Sequence, residues 1–142
     1  MKFLLITENR DLKQFFQSFC NKEQSELILI DNLGEISLHE FNFAVIDATS
    51  ENFNVSEYFR QKKISGFELK KIFIILENIS LATEFINLGI YNFLFKPFDE
   101  HIIRLQFSKA EKELDYVKEL ISKNKKNEKN IAKLEKTLSL KK

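Results

Sequence analysis

The sequence predicts a doubly wound α/β domain, in which a five-stranded parallel sheet is covered by helices on both faces. Three observations predict it. Five short runs, at Phe3–Ile6, Leu27–Ile30, Phe43–Ile46, Ile72–Leu76 and Tyr91–Phe95, are nearly continuous in apolar residues, as strands buried on both faces must be. The segments between them repeat their apolar residues at helical spacing. Four of the runs end on polar residues, Thr7-Glu8, Asp47, Glu77 and Lys96, and open parallel sheets bind ligands just beyond the carboxyl ends of their strands.

After the first strand, Leu12, Phe15, Phe16 and Phe19 fall at i, i+3, i+4 and i+7 and predict a helix with one apolar face. A short, weak helix is expected from about Leu33 to Glu40. Asn54, with Glu57 three residues on, predicts a capped helix from Val55 to about Lys63, closed by Gly66. Ser80 is expected to cap a fourth helix that runs to about Leu88 and stops at Gly89. From Asp99 onward there is neither Gly nor Pro, so one helix is expected to the end or near it. Its Ile103, Phe107, Ala110, Leu114, Val117 and Ile121 alternate spacings of four and three, a heptad seam. The same register meets Asn124 and Glu128 before Ile131, after which Leu134 and Leu138 suggest a shifted frame. Ile103 to Leu114 would cover the sheet, whereas Val117 and later apolar positions need another partner. The expected organisation is therefore one domain over residues 1–115 and a basic helical, coiled-coil extension over 116–142.

With 142 residues, the chain is long enough for one real core. Fifteen Phe and no Trp mean that phenylalanine builds much of it. The longest apolar runs are far too short to span a membrane, and Phe3–Ile6 is too short for an export signal, so a cytoplasmic location is expected. Cys20 is the only cysteine, which excludes an intrachain disulfide or a cysteine metal cluster; it reads as a small core residue. His39 and His101 stand alone and form no catalytic or metal pair. Residues 122–142 hold eight Lys and two Glu, so an acidic body carries a basic tail.

The segment Gly89-Ile90-Tyr91-Asn92-Phe93-Leu94-Phe95-Lys96-Pro97-Phe98 contains the only proline. A lysine at the end of a buried strand is costly unless its ammonium meets an anion. Glu8, Asp47 and Glu77, with the Thr7 hydroxyl, sit at neighbouring strand ends and mark the expected site.

These residues resemble the receiver domain of two-component response regulators, the module that accepts a phosphoryl group on an aspartate. The resemblance covers residues 1 to about 115 and rests on Gly89–Phe98, on Asp47 and on the order of the strand ends. It implies the receiver (flavodoxin-like) fold, Asp47 as phosphoacceptor and Lys96 as the residue neutralising the phosphoryl oxygens. It also implies a cis Lys96–Pro97 bond, with Pro97 in a structural role, and Phe93 as the strand-five aromatic that relays activation. Magnesium would be held by Glu8, Asp47 and the Thr49 carbonyl. Two positions depart from the family. Thr7 replaces an acidic metal ligand, which weakens the magnesium site, and Glu77 stands where a Thr or Ser would bind a phosphoryl oxygen. A carboxylate there suggests that Glu77 pairs with Lys96 and supplies permanently the charge that a phosphoryl group brings transiently.

The function implied is that of an atypical receiver: a signal-transduction module, not an enzyme, working through protein interaction. Its expected partners are a sensor histidine kinase or another signalling protein and a second copy joined through the last helix and arm. The alternative is a phosphorylation-independent scaffold used for constitutive assembly. A nucleic-acid adaptor using the tail is disfavoured, because the tail's lysines follow a helical pattern with few aromatics and no reading motif. A nucleotide-binding domain of like topology needs a phosphate loop after strand one, which Thr7-Glu8-Asn9-Arg10 does not provide.

Overall fold

Five parallel strands form one sheet in the order β2-β1-β3-β4-β5: β1 (Lys2–Ile6), β2 (Glu26–Ile30), β3 (Phe43–Asp47), β4 (Ile72–Leu76) and β5 (Asn92–Phe95). The computed structural model describes residues 1–34, 37–50 and 54–140, the side chains of 125–140 excepted. The five strands and the predicted α/β class are thus both present. Five helices flank the sheet: α1 (Arg10–Lys22), α2 (Val55–Arg60), α3 (Gly66–Leu69), α4 (Ala82–Ile86) and α5 (Glu100–Leu140). No helix among the described residues is long and apolar enough to cross a membrane.

Alternation along the strands divides the core in two. Phe3, Leu5, Phe43, Val45, Phe73, Ile75 and Leu94 face one way and meet α1 and α5 through Phe16, Phe19, Ile103, Phe107 and Leu114. Leu4, Ile6, Ala44, Ile46, Ile72, Ile74 and Leu76 face the other and meet Val55, Phe59, Ala82 and Phe85. On the first side Phe107 is the hub. Its ring centroid lies 4.7 Å from Phe73, 4.9 Å from Phe3, 5.2 Å from Phe43 and 6.0 Å from Phe19. Cys20 is buried in the same layer, and burial pushes its thiol up to about 11. Two ion pairs tie α1 to α5 at its margin, Lys22–Glu100 at 2.9 Å and Arg104–Glu23 at 2.6 Å.

The second side departs from expectation. α2 stops at Arg60, short of Lys63, because Val55 and Phe59 bury but the next position on their stripe is a lysine. Gly66 does not close that helix; it opens α3, which the sequence did not predict, with Ser65 Oγ accepting the Glu68 amide at 3.2 Å. In place of a helix from Leu33 to Glu40, the described part has a single 3-10 turn at Leu38–Glu40; residues 35–36 of that expectation lie outside the described residues. Asn78, not Ser80, caps the segment before α4: its side chain accepts the Ser80 amide at 3.0 Å and a 3-10 turn intervenes. Gly89 does terminate α4's region, at φ 89°, a conformation that costs glycine nothing and other residues a good deal.

α5 is capped by Asp99, whose Oδ1 accepts the Ile102 amide at 2.9 Å. Ile103, Phe107, Ala110 and Leu114 bury against the sheet. Lys118 still reaches the Phe67 ring of α3, at 5.8 Å, while Tyr116, Leu120 and Ile121 are exposed. The helical backbone continues to Leu140. The seam expected at Ile131, and in a shifted frame at Leu134 and Leu138, concerns side chains outside the described residues.

Candidate functional site

The strand order reverses between β1 and β3, so their carboxyl ends flank the crevice where such sheets bind ligands. Thr7 follows β1 and is wholly buried; Asp47 ends β3 and is 1% exposed. Backbone bonds continue the ladders past the strand ends and fix these residues: Thr7 N–H to Ile30 O at 3.1 Å, Ala48 N–H to Ile75 O at 3.0 Å and Lys96 N–H to Leu76 O at 2.9 Å.

Asp47 is the centre of a hydroxyl network. Thr7 Oγ1 donates to Asp47 Oδ2 at 2.6 Å. The Thr49 amide donates to Asp47 Oδ1 at 2.9 Å and the Thr49 hydroxyl donates to the same oxygen at 2.5 Å. The Lys96 ammonium in turn donates to Thr49 Oγ1 at 2.9 Å. The Asn9 amide donates to Thr7 Oγ1 at 3.0 Å, tying the start of α1 into the chain of bonds. The two hydroxyl contacts have the short lengths of charge-assisted O–H···O⁻ bonds. A buried carboxylate needs such compensation, and three of its roughly four acceptor sites are filled.

The residues singled out from the sequence divide accordingly. Asp47, Thr49 and Lys96 come together, with Thr49 placed between the other two; no ion pair links Lys96 to Asp47 directly among the described residues. The Lys96–Pro97 bond is cis. Phe93 is half-buried on the α4 side, its ring 6.3 Å from Phe85 and 6.0 Å from Phe95. Glu8 is exposed beside Thr7. The expected Glu77–Lys96 pair is not formed: Glu77 is exposed and Lys96 bonds to Thr49 instead. Thr49 Oγ1 offers Lys96 a part-buried acceptor that is itself polarised by Asp47.

The Thr7 hydroxyl, which the sequence places at the site and which replaces an acidic residue there, donates directly to Asp47. The Asp-x-Thr spacing of Asp47 and Thr49 carried a second signal, because aspartate side chains commonly accept the backbone amide two residues on.

Of the groups that the resemblance would have hold magnesium, Glu8, Asp47 and the Thr49 carbonyl, Asp47 keeps about one acceptor site, its others receiving hydrogens from Thr7 and Thr49. No group of three acidic or other ligating side chains gathers anywhere among the described residues.

No protein-family model matches the sequence, and no curated protein matches it. Solved structures do. The chain is similar to a response regulator signal receiver domain from Bermanella marisrubri, with 14% identity, a TM-score of 0.65 and coverage of 77% of this chain and 96% of that one. It is similar to the chemotaxis response regulator CheY4 of Vibrio cholerae, with 15% identity, a TM-score of 0.58 and coverage of 80% and 97%. The beryllofluoride-activated NtrC4 receiver domain dimer gives 18% identity, a TM-score of 0.64 and coverage of 80% and 98%. These likenesses, together with the order of its five parallel strands, show that the chain has the fold of response regulator receiver domains.

Proposed function

We propose that this chain is an atypical receiver module of two-component signalling that acts by protein interaction, with phosphoryl acceptance at Asp47 replaced by a standing hydrogen-bond network. The fold supports the receiver part of this reading. One observation carries the rest: the Thr7 hydroxyl, 2.6 Å from Asp47 Oδ2, holds the carboxylate where an acidic side chain and a cation would otherwise meet it. Thr49 then links Asp47 to Lys96, so the positive charge is already engaged without a phosphoryl group. Signalling partners would read a surface set by this network. The exposed Tyr116, Leu120 and Ile121 on α5 support self-association as one such contact.

Phosphoryl chemistry at Asp47 is the reading this displaces, and the two are separated by nuclear magnetic resonance of the labelled protein. Under the proposal, millimolar magnesium with beryllofluoride leaves the amide signals of Thr7, Glu8, Asp47, Thr49 and Lys96 without saturable change. Saturable, magnesium-dependent shifts at those residues would restore Asp47 as a phosphoacceptor and overturn the network as a replacement.

A further inference from the structure

A cavity lies away from Asp47, near the amino ends of β3 and β4. The 3-10 turn at Leu38–Glu40 leads into the amino end of β3, and α3 leads into the amino end of β4. Between them and the end of α2 is a cleft of about 490 Å³ lined by Ser37, Leu38, His39, Tyr58, Phe59, Lys62, Lys63, Ile64, Ser65 and Glu68. It exists because α2 ends early and α3 has only four residues, so the helical cover of this face is incomplete. Its size falls within the range of small-molecule sites.

The lining has a consistent chemistry. Leu38 and Phe59 are buried and form an apolar floor with half-buried Ile64. Lys62 and Lys63 have no ion-pair partner among the described residues; Lys62 instead stands 5.5 Å over the Tyr58 ring. Tyr58 is held in turn by its hydroxyl donating to Gly34 O at 2.7 Å. Among the described residues of the lining, Glu68 is the one carboxylate, and Lys71 pairs with it at 3.2 Å. Ser37 makes no side-chain capping bond. Two exposed ammonium groups without an ion-pair partner among the described residues thus stand beside an apolar floor, in a body whose net charge is negative.

We propose that this cleft binds a small amphiphilic anion: a carboxylate or phosphate ester carried on a flat apolar body. The body lies on Leu38, Phe59 and Ile64, and the anionic head meets Lys62 and Lys63, with Ser37 as a hydrogen-bond donor. Such a site is independent of Asp47 and stands or falls without the signalling assignment.

The test uses anilinonaphthalene sulfonate as probe, with fluorescence titration and amide-shift mapping of the whole chain. Saturable binding with shifts confined to residues 37–40 and 58–68 is expected. Binding should weaken about tenfold in the Lys62→Gln/Lys63→Gln variant and for the uncharged phenylnaphthylamine. Both lysines are exposed, so the variant keeps its fold, and an unchanged amide spectrum outside the cleft verifies this. Displacement of the dye by benzoate or by phenyl phosphate supports the site and identifies the preferred head group. Absence of saturable binding, shifts elsewhere, equal affinity for the neutral dye or the double variant, or displacement by neither anion would each overturn the proposal.

Discussion

Replacing Thr7 with valine keeps the shape of the side chain and deletes one hydroxyl, so it isolates the bond on which the site depends. Thr7 is wholly buried and its partner Asp47 is 1% exposed, so no water replaces the lost donor. A hydrogen bond to a charged acceptor contributes about 1.5 to 3 kcal/mol, and a buried group left unpaired costs a comparable amount. The Asn9 amide also loses an acceptor, but it lies in a more exposed setting and contributes less. We expect Thr7→Val to cost about 2 kcal/mol, which for a urea dependence of about 2 kcal/mol per molar lowers the unfolding midpoint by about 1 M. The assay is equilibrium urea unfolding of the wild type, Thr7→Val, Asp47→Asn and the double variant. The cycle should give a coupling energy above about 1 kcal/mol between the two positions. A loss below about 0.5 kcal/mol, or strictly additive single effects, would refute the claim that the hydroxyl compensates the Asp47 carboxylate.

Other measurements test separate parts of the structure. Glu77→Thr should change stability by less than about 0.5 kcal/mol, because Glu77 is exposed and bonds to nothing among the described residues; a larger loss in urea unfolding would reinstate a Lys96 contact. Phe107→Ala should cost about 3 to 5 kcal/mol by the same method, since it empties the centre of the aromatic cluster. Burial raises the Cys20 thiol from 9.0 to about 11. The unfolded chain therefore releases that proton first, and stability attributable to Cys20 falls as pH rises from about 9 to about 11; Cys20→Ala should flatten this part of the profile. Leu120→Glu with Ile121→Glu should shift sedimentation toward a monomer if α5 self-associates, with no change in the unfolding midpoint of the dilute chain.

The strands were legible because both faces of the sheet are covered, which leaves little freedom in composition: Ile72–Leu76 has no polar residue to hide. α1 and the packed part of α5 were legible through their apolar spacing. The region between β3 and β4 was legible only at its start, where Asn54 caps α2 and accepts the Glu57 amide at 3.2 Å. There, Val55 and Phe59 supply only one turn of apolar stripe, and Ser65 and Gly66 read equally as an ending or a beginning. Hydrogen bonding decides it, through the Glu68 amide on Ser65. At the site, strand tips pointed to Thr7, Asp47 and Lys96, because parallel topology brings tips together whatever their residues. Charge pattern alone then favoured Glu77 as the partner of Lys96. It had no means of weighing Thr49, two residues from Asp47, against a carboxylate on the next strand; only the loop geometry does so.

The length of α5 carries a mechanical consequence. Leu114 is the last buried residue of the helix among the described side chains, yet the helical backbone runs on to Leu140. At a rise of about 1.5 Å per residue, that remainder measures about 39 Å. A tilt of about 5° where Ile103 and Phe107 grip the sheet would displace the far tip, about 50 Å along the helix from Phe107, by about 4 Å. Slight repacking among a few phenylalanines is thereby magnified into a movement wide enough to make or break a side-chain contact at the distal end.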